Sequence, residues 1–404
     1  MNFRSFSVLF ALAVFATAST AEAAVHRVFP GDDIQDAIDG ASPGDTILVE
    51  PGVYTTNGNS RFGLHIVTDN LRLIGKTRPG QGEDGKVILL PSGNQETGVY
   101  AAPADCPPEF AVGECPDELR GFYIRGFTVQ DFPVNGIQTR FVNGFKIIRN
   151  ESAANLNNGI YPTISANGLV QNNVSYGATD TAMWVAASQN VRVIGNDLSL
   201  SPIGLEVNVS LNVEVKHNDV HDNTVGIGLF HPNTAGNDPL PVMGNWVVQH
   251  NNVYDNNVLP DDLPNPAPPG SFQGDLPPGV GILVLGVSDN VVAKNTVENN
   301  DFVGIGVLGW CTAAASIPGR DCVTRPPIRD PSVSNNLIAQ NKVSGNGTNP
   351  PPIAIGFLAA DLTYFSAGQD AGESNSGNCF EKNKPRGFTF VSSEPDGELP
   401  TDGC

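Results

Sequence analysis

Short β-branched runs separated by polar turns recur along most of the chain. In Asn190 to Leu211, Val191 and Val193, then Leu205 and Val207, alternate with other residues, and Gly195-Asn196-Asp197 interrupts them. Alternation with period two marks strands with one face buried, and the polar interruption marks a turn. Seven asparagines follow such runs: Asn150, Asn172, Asn196, Asn218, Asn251, Asn295 and Asn341, spaced by 22, 24, 22, 33, 44 and 46 residues. A second phrase, a small residue followed by alternating aliphatics, begins at Gly136, Gly159, Ala182, Gly204, Gly226, Gly281, Gly304 and Ala354. The short spacings define a unit of about 22 residues and the long ones carry insertions. Such a period is the signature of a solenoid, whose units bury their apolar sides only by stacking.

A unit of this length holds three short strands and three turns, too little for a strand plus a full helix. Stacked strands lie about 4.8 Å apart, so the asparagines are expected to form an amide ladder from coil to coil. The leucine-rich repeat has a similar period and also carries an Asn. Against it, these units favour Val and Ile and show no helical spacing. The predicted fold is all-β, a single parallel β-helix, preceded by a short helix that caps its open end. In that helix Asp32 or Asp33 caps the start, Ile34, Ala37 and Ile38 share a face, and Gly40 ends it.

The repeat, its Asn corner and its Gly-Ile-x-Val strand resemble the right-handed parallel β-helix of the pectate-lyase-like superfamily. The opening from Pro30 to Gly40 and the phrase from Pro43 to Tyr54 resemble the cap and first coil of that group. Asn158-Gly159-Ile160-Tyr161-Pro162 and Gly177 to Val185 are similar, more narrowly, to secreted bacterial β-helix proteins without an assigned reaction. The likeness covers roughly residues 25 to 360. It implies a fold and leaves the chemistry open.

Residues 1–23 read as a signal peptide: Arg4, an apolar stretch from Val8 to Ala16, and Ala21-Glu22-Ala23 as a cleavage site. The β-helix is expected over 24–360, with insertions near 100–120, 258–279 and 310–331, and a tail over 361–404. The six cysteines follow the leader and group locally, Cys106 with Cys115, Cys311 with Cys322 and Cys379 with Cys404. An even count in an exported chain predicts disulfides between near partners, in a periplasmic or extracellular protein without a membrane span. None of the spacings is C-x-x-C, which speaks against a cysteine metal site.

The formal charge is −20. It excludes nucleic acid as a partner and gives no long-range help with an anionic polymer. That bears on the resemblance, because it implies enzymes that act mostly on polyuronates. A neutral glycan, a bridging cation such as Ca²⁺, or a local basic patch around Arg120, Arg125, Arg140, Lys146 and Arg149 would reconcile the two.

The resemblance also implies that substrate lies on the sheet made by the Gly-Ile-x-Val phrase. If Ile160, Met183, Leu205 and Ile227 point inward, then Tyr161, Trp184, Glu206 and Gly228 form one outward column, and Arg140, Thr163, Ala186, Asn208 and Phe230 the next. His231 lies just beyond and Asp180 at the opposite edge. Glu206, His231 and Asp180 are the catalytic candidates, and Tyr161, Trp184, Asn208 and Arg140 the substrate-binding candidates. Strand geometry puts the Glu206 and Asp180 backbones about 14 Å apart, so these two carboxyls could pair only by leaning together. The Asp-Pro-His phrase of β-helix epimerases is absent, since Phe230-His231-Pro232 lacks the leading Asp. Downstream, Leu283, Leu285, Leu308 and Leu358 would face outward and need a cover, for which the insertion Leu259 to Pro278, the insertion after Trp310 and the tail are the candidates. His217 and His250 precede ladder asparagines, where stacked imidazoles would suit copper or simply face water. The reading is an exported carbohydrate-active protein that binds, and cleaves or epimerises, a polysaccharide over coils 138 to 231. The alternative is a non-catalytic envelope scaffold.

Overall fold

The computed structural model describes residues 23–404 except 57–59, 79, 81, 107–108, 110–113, 231–242, 312–331 and 367–374. Strands build three parallel sheets of 14, 10 and 11 strands, and each full coil gives one strand to each sheet. One coil, for example, runs through Thr181–Ala186, Gln189–Ile194 and Asp197–Ser199 before the next begins at Ile203–Asn208. The interior is the stack of alternating aliphatics predicted above: Ile160, Met183, Leu205 and Ile227 from the 11-stranded sheet, called the front sheet, meet Val191, Val193, Val213 and Val215, all fully buried. The helix Ile34–Asp39 closes the N-terminal end. Asp33 accepts from the Gln35 N–H at 2.8 Å, and Ile34 and Ile38 insert into the core.

The ladder runs Asn150, Asn173, Asn196, Asn218, Asn251, Asn295, Asn341, Asn383, with Nδ2 to Oδ1 distances of 2.9–3.2 Å. Asn173 therefore replaces the expected Asn172. Asn172 sits one residue earlier, at the left-handed corner (φ 53°) shared by Arg149, His217, His250, Lys294 and Gln340. Each mid-ladder amide is fully used. Asn196 Nδ2 donates to Asn218 Oδ1 (2.9 Å) and to Val170 O (3.1 Å), and its Oδ1 accepts from both Nδ2 and the N–H of Asn173 (2.9 Å each). A second buried ladder, Asn223, Asn256, Asn300, Asn346 and Asp361, occupies another corner. It also explains the small residue of the second phrase: a Cβ on Gly226 would stand 2.5 Å from the Gly281 carbonyl and 2.9 Å from Asn256 Nδ2.

Two further expectations need correction. The eighth phrase, at Ala354, forms no strand. The preceding prolines Pro350 to Pro352 supply no N–H for a ladder, Gly356–Leu358 is a short 3₁₀ turn, and the front-sheet strand is Ala360–Phe365. Nor do the coils end at 360. Cys379–Glu381 and Phe390–Ser392 continue two of the sheets, and the Cys379–Cys404 disulfide ties the tail to them. Cys106 pairs with Cys115 as expected. Cys311 is disulfide-bonded, and Cys322, its expected partner, lies outside the described residues.

Candidate functional site

The outer face of the front sheet carries the predicted columns. Register pairs Tyr100 with Gln138, Gln138 with Tyr161, Trp184 with Glu206, Glu206 with Gly228 and Gly228 with Leu283. Arg140, Thr163, Ala186, Asn208 and Phe230 follow in the adjacent column. Tyr161 and Trp184 stack at 4.7 Å with 14° between their planes, and both are half-exposed. Such a pair offers an apolar face edged by polar atoms.

Glu206 and Asp180 do lean together. Thr181, which follows Asp180 and begins its own strand, places Oγ1 3.1 Å from Asp180 Oδ1 and 3.4 Å from Glu206 Oε2. The two carboxyls are therefore separated by no more than the sum of those distances, inside the roughly 9.5 Å that bounds working carboxyl pairs in glycosidases. Each has one further donor. Asn208 Nδ2 donates to Glu206 Oε1 at 2.7 Å, and Gln273 Nε2 to Asp180 Oδ1 at 2.8 Å.

Burial raises both carboxyls. Glu206 is 6 % exposed and Asp180 8 %. Burial, then the Asp180 carboxylate, pushes the Glu206 carboxyl well above the usual range. Burial also raises Asp180, against the pull of Gln273 and Thr181. The Thr181 hydroxyl has one proton to give and faces two carboxyl oxygens. A consistent assignment has protonated Glu206 donating to Thr181 and Thr181 donating to Asp180. Arg140 stands in the column of Asn208 but three strands away, roughly 14 Å at 4.8 Å per strand, too far to neutralise the pair. Its guanidinium lies 5.2 Å from the Phe141 ring centre.

Tyr100 Oη, Asn158 Oδ1, Trp184 Nε1 and Asn208 Oδ1 are buried without a hydrogen-bond partner among the described residues. All four belong to strands of this one sheet. Buried orphans cost about 1–3 kcal/mol each and are rare, so their concentration on one sheet marks where polar partners are wanted. Burial pushes the Tyr100 and Tyr161 hydroxyls up to about 12.

Of the expected site, the structure brings Glu206, Asp180 and Asn208 together beside Trp184 and Tyr161, leaves Arg140 at a distance, and does not describe His231. Sequence reading missed Thr181, Gln273 and Tyr100. Extending the outward column one coil back would have found Tyr100. No periodic signal marks Gln273, which arrives from an insertion 93 residues beyond Asp180. His217 and His250 stack at 5.2 Å on a corner away from this face, where burial, then His217, lowers His250. Among the described residues no three His, Cys, Asp or Glu side chains gather as a metal site, and no helix is long and apolar enough to cross a membrane.

Residues 135–320 match the family described as right handed beta helix region. No curated protein matches the chain. Among solved structures, DFA-IIIase from Arthrobacter chlorophenolicus A6, without its lid and in complex with GF2, aligns with a TM-score of 0.51 at 14 % identity. That alignment covers 90 % of this chain and 85 % of the other. A mutant form of the same enzyme aligns at 0.50 and 15 % identity, covering 91 % and 80 %. The A-module of a mannuronan C-5 epimerase from Azotobacter vinelandii gives 0.49 at 14 % identity, covering 89 % and 95 %. Identities this low speak for the fold alone: the chain is a single right-handed parallel β-helix.

Proposed function

We propose that this is an exported carbohydrate-active protein that hydrolyses a glycosidic bond at the Glu206–Asp180 pair. The observation that carries the reading is the Thr181 bridge, which holds two carboxyls side by side next to a stacked Tyr161–Trp184 face, with burial and the Asp180 carboxylate holding Glu206 well above the usual range. Glycoside hydrolysis needs this division of labour. Glu206 gives its proton to the departing glycosidic oxygen as the bond to the anomeric carbon breaks. Asp180 bonds to that carbon as the nucleophile, and water, giving a proton to Glu206, then displaces it. Asn208 keeps Glu206 in place, and Tyr161 and Trp184 support the sugar ring.

Epimerisation and elimination fit less well. Both act on uronates, and their carboxylate would bring a further negative charge to the Asp180 side of a pair that no described cation offsets. The disulfides Cys106–Cys115 and Cys379–Cys404, with a bonded Cys311, support export to an oxidising compartment. One observation favours the competing scaffold reading: both carboxyls are more than nine-tenths buried and already hydrogen-bonded, as in a structural network. The experiment is to assay the purified protein on neutral glycans and polyuronates, with and without Ca²⁺, beside Glu206→Gln. Turnover of a neutral glycan, lost in that variant, supports hydrolysis. Silence on every glycan supports the scaffold.

A further inference from the structure

The floor of the site stops immediately after Glu206. The next residue in its column, Gly228, has no side chain, and the Phe230 ring lies over it so closely that a Cβ there would stand 2.3 Å from Phe230 Cζ. Phe230 is itself 3 % exposed. Its cover is Phe272, which meets it edge-on at 5.8 Å and 83°. Leu276 of the same insertion, with Leu283, Leu285 and Leu308 of the following strands, completes a separate apolar cluster outside the solenoid core.

The insertion is fastened back over the site it blocks. Asn265 Nδ2 donates to Gly177 O at 2.7 Å, and Gln273 donates to Asp180 at 2.8 Å. Gln273 follows Phe272 directly, so the segment that plugs the track also holds one of the two carboxyls. In the other direction the floor is also closed. Tyr100, two strands from Trp184's neighbour Tyr161, is 1 % exposed and stacked on Phe62 at 4.2 Å. Exposure along these two columns, from Gln138 to Phe230 among the described residues, is concentrated at Arg140, Tyr161 and Trp184. This is the shape of a pocket with its chemistry at the blind wall. A cleft that passes a polymer through has exposed floor on both sides of its acid pair.

Resting on the hydrolase reading above, we infer that the site takes the end of an uncharged glycan and removes a short unit from it, the Phe230–Phe272 plug excluding the chain beyond the scissile bond. The charge part follows from the same geometry. The wall beside Glu206 is phenylalanine and leucine, and among the described residues the cation of this floor, Arg140, stands three strands away at its opposite end, so a uronate at the scissile bond would face the Asp180 side without a cation beside it.

The test uses the full processed protein on linear neutral polysaccharides (a β-glucan, a mannan and a fructan) and on the polyuronates pectate and alginate. Product lengths are followed in time and each active polymer is also supplied with either end chemically capped. One dominant short product from the earliest time points, at least tenfold slower release when one end is capped, and no turnover of the uronates are the expected results. Phe272→Ala, and Phe230→Leu as a milder second variant, should broaden the products toward internal cuts while circular dichroism shows the fold retained. A spread of internal fragments from the unmodified protein overturns the inference and leaves the hydrolase reading standing, and so does indifference to capping. Faster turnover of a uronate overturns its charge part. No turnover of any polymer overturns both.

Discussion

The front sheet is one continuous ladder, yet its outer face changes character between Asn208 and Gly228. Upstream, the outward residues are Gln138, Tyr161, Trp184, Glu206 and Asn208, with Trp184 Nε1 and Asn208 Oδ1 buried without a partner among the described residues. Downstream they are Phe230, Leu283, Leu285 and Leu308, in one apolar cluster with Phe272 and Leu276 of the insertion and with Trp310 and Leu358 from further along the chain. Backbone and inward residues hardly differ across the boundary: Leu205 and Ile227 fill equivalent places and are both fully buried. The solenoid therefore sets shape independently of what its surface does. Two side chains per coil decide whether a strand becomes site or core.

The sharpest way to break this comparison is Glu206→Gln. Within the upstream half it should lower activity by roughly 10² to 10⁴ by removing the transferable proton. It should also raise the melting temperature at neutral pH. The folded-state carboxyl is raised by burial and by Asp180, so its contribution to stability is full below the ordinary glutamate range and is lost as pH rises through the folded value. Glutamine carries no such loss. The stability gain should shrink in acid, as thermal melts across pH would record. A variant less stable than the parent at pH 7 would make Glu206 a structural group and shift the upstream half toward the downstream type.

The downstream half should respond in the opposite sense. Phe230→Ala removes a buried ring from the apolar cluster and should cost about 3–5 kcal/mol in chemical denaturation. A loss below about 1 kcal/mol would mean that the insertion does not seat on the sheet, and the contrast between halves would fail.

Most of this architecture was legible because stacking enforces a period. Coil length, inward residues, corner asparagines and capping helix all follow from the need to bury the same positions in every turn. The failures occur where that constraint loosens. Gln171-Asn172-Asn173 offers two asparagines, and taking the first gave spacings of 22 and 24. The second gives equal spacings, the register the ladder adopts. At Ala354 a matching phrase was displaced by an insertion. Of the site, Glu206 and Asp180 were legible as outward and edge residues, but their pairing was not, because strand spacing measures backbones and the pairing depends on side chains meeting at Thr181. The ladder offers a control common to both halves. Asn173→Ala and Asn295→Ala should each cost about 2–3 kcal/mol by stranding neighbouring amides. Asn172→Gly should stay within about 0.5 kcal/mol, since glycine accepts the left-handed corner. Equal losses at 172 and 173 would contradict the register.

The smallest effect is the most discriminating. Trp184 presents a buried Nε1–H without a partner among the described residues and a ring stacked on Tyr161. Trp184→Phe keeps an aromatic face and deletes the orphaned donor. If that donor is held for a ligand, folding gains and binding loses: stability should rise by up to about 1 kcal/mol, while affinity for the accepted glycan falls, a missing hydrogen bond being worth ~1 kcal/mol or a factor of about five. Trp184→Ala removes the stack as well and should weaken binding further, by about 0.5–1.5 kcal/mol beyond the area lost. Calorimetric titration beside thermal melts reads both quantities. Reduced stability with unchanged affinity in the Phe variant would show that the indole serves the fold, and the line between site and core would then have to be drawn upstream of Trp184.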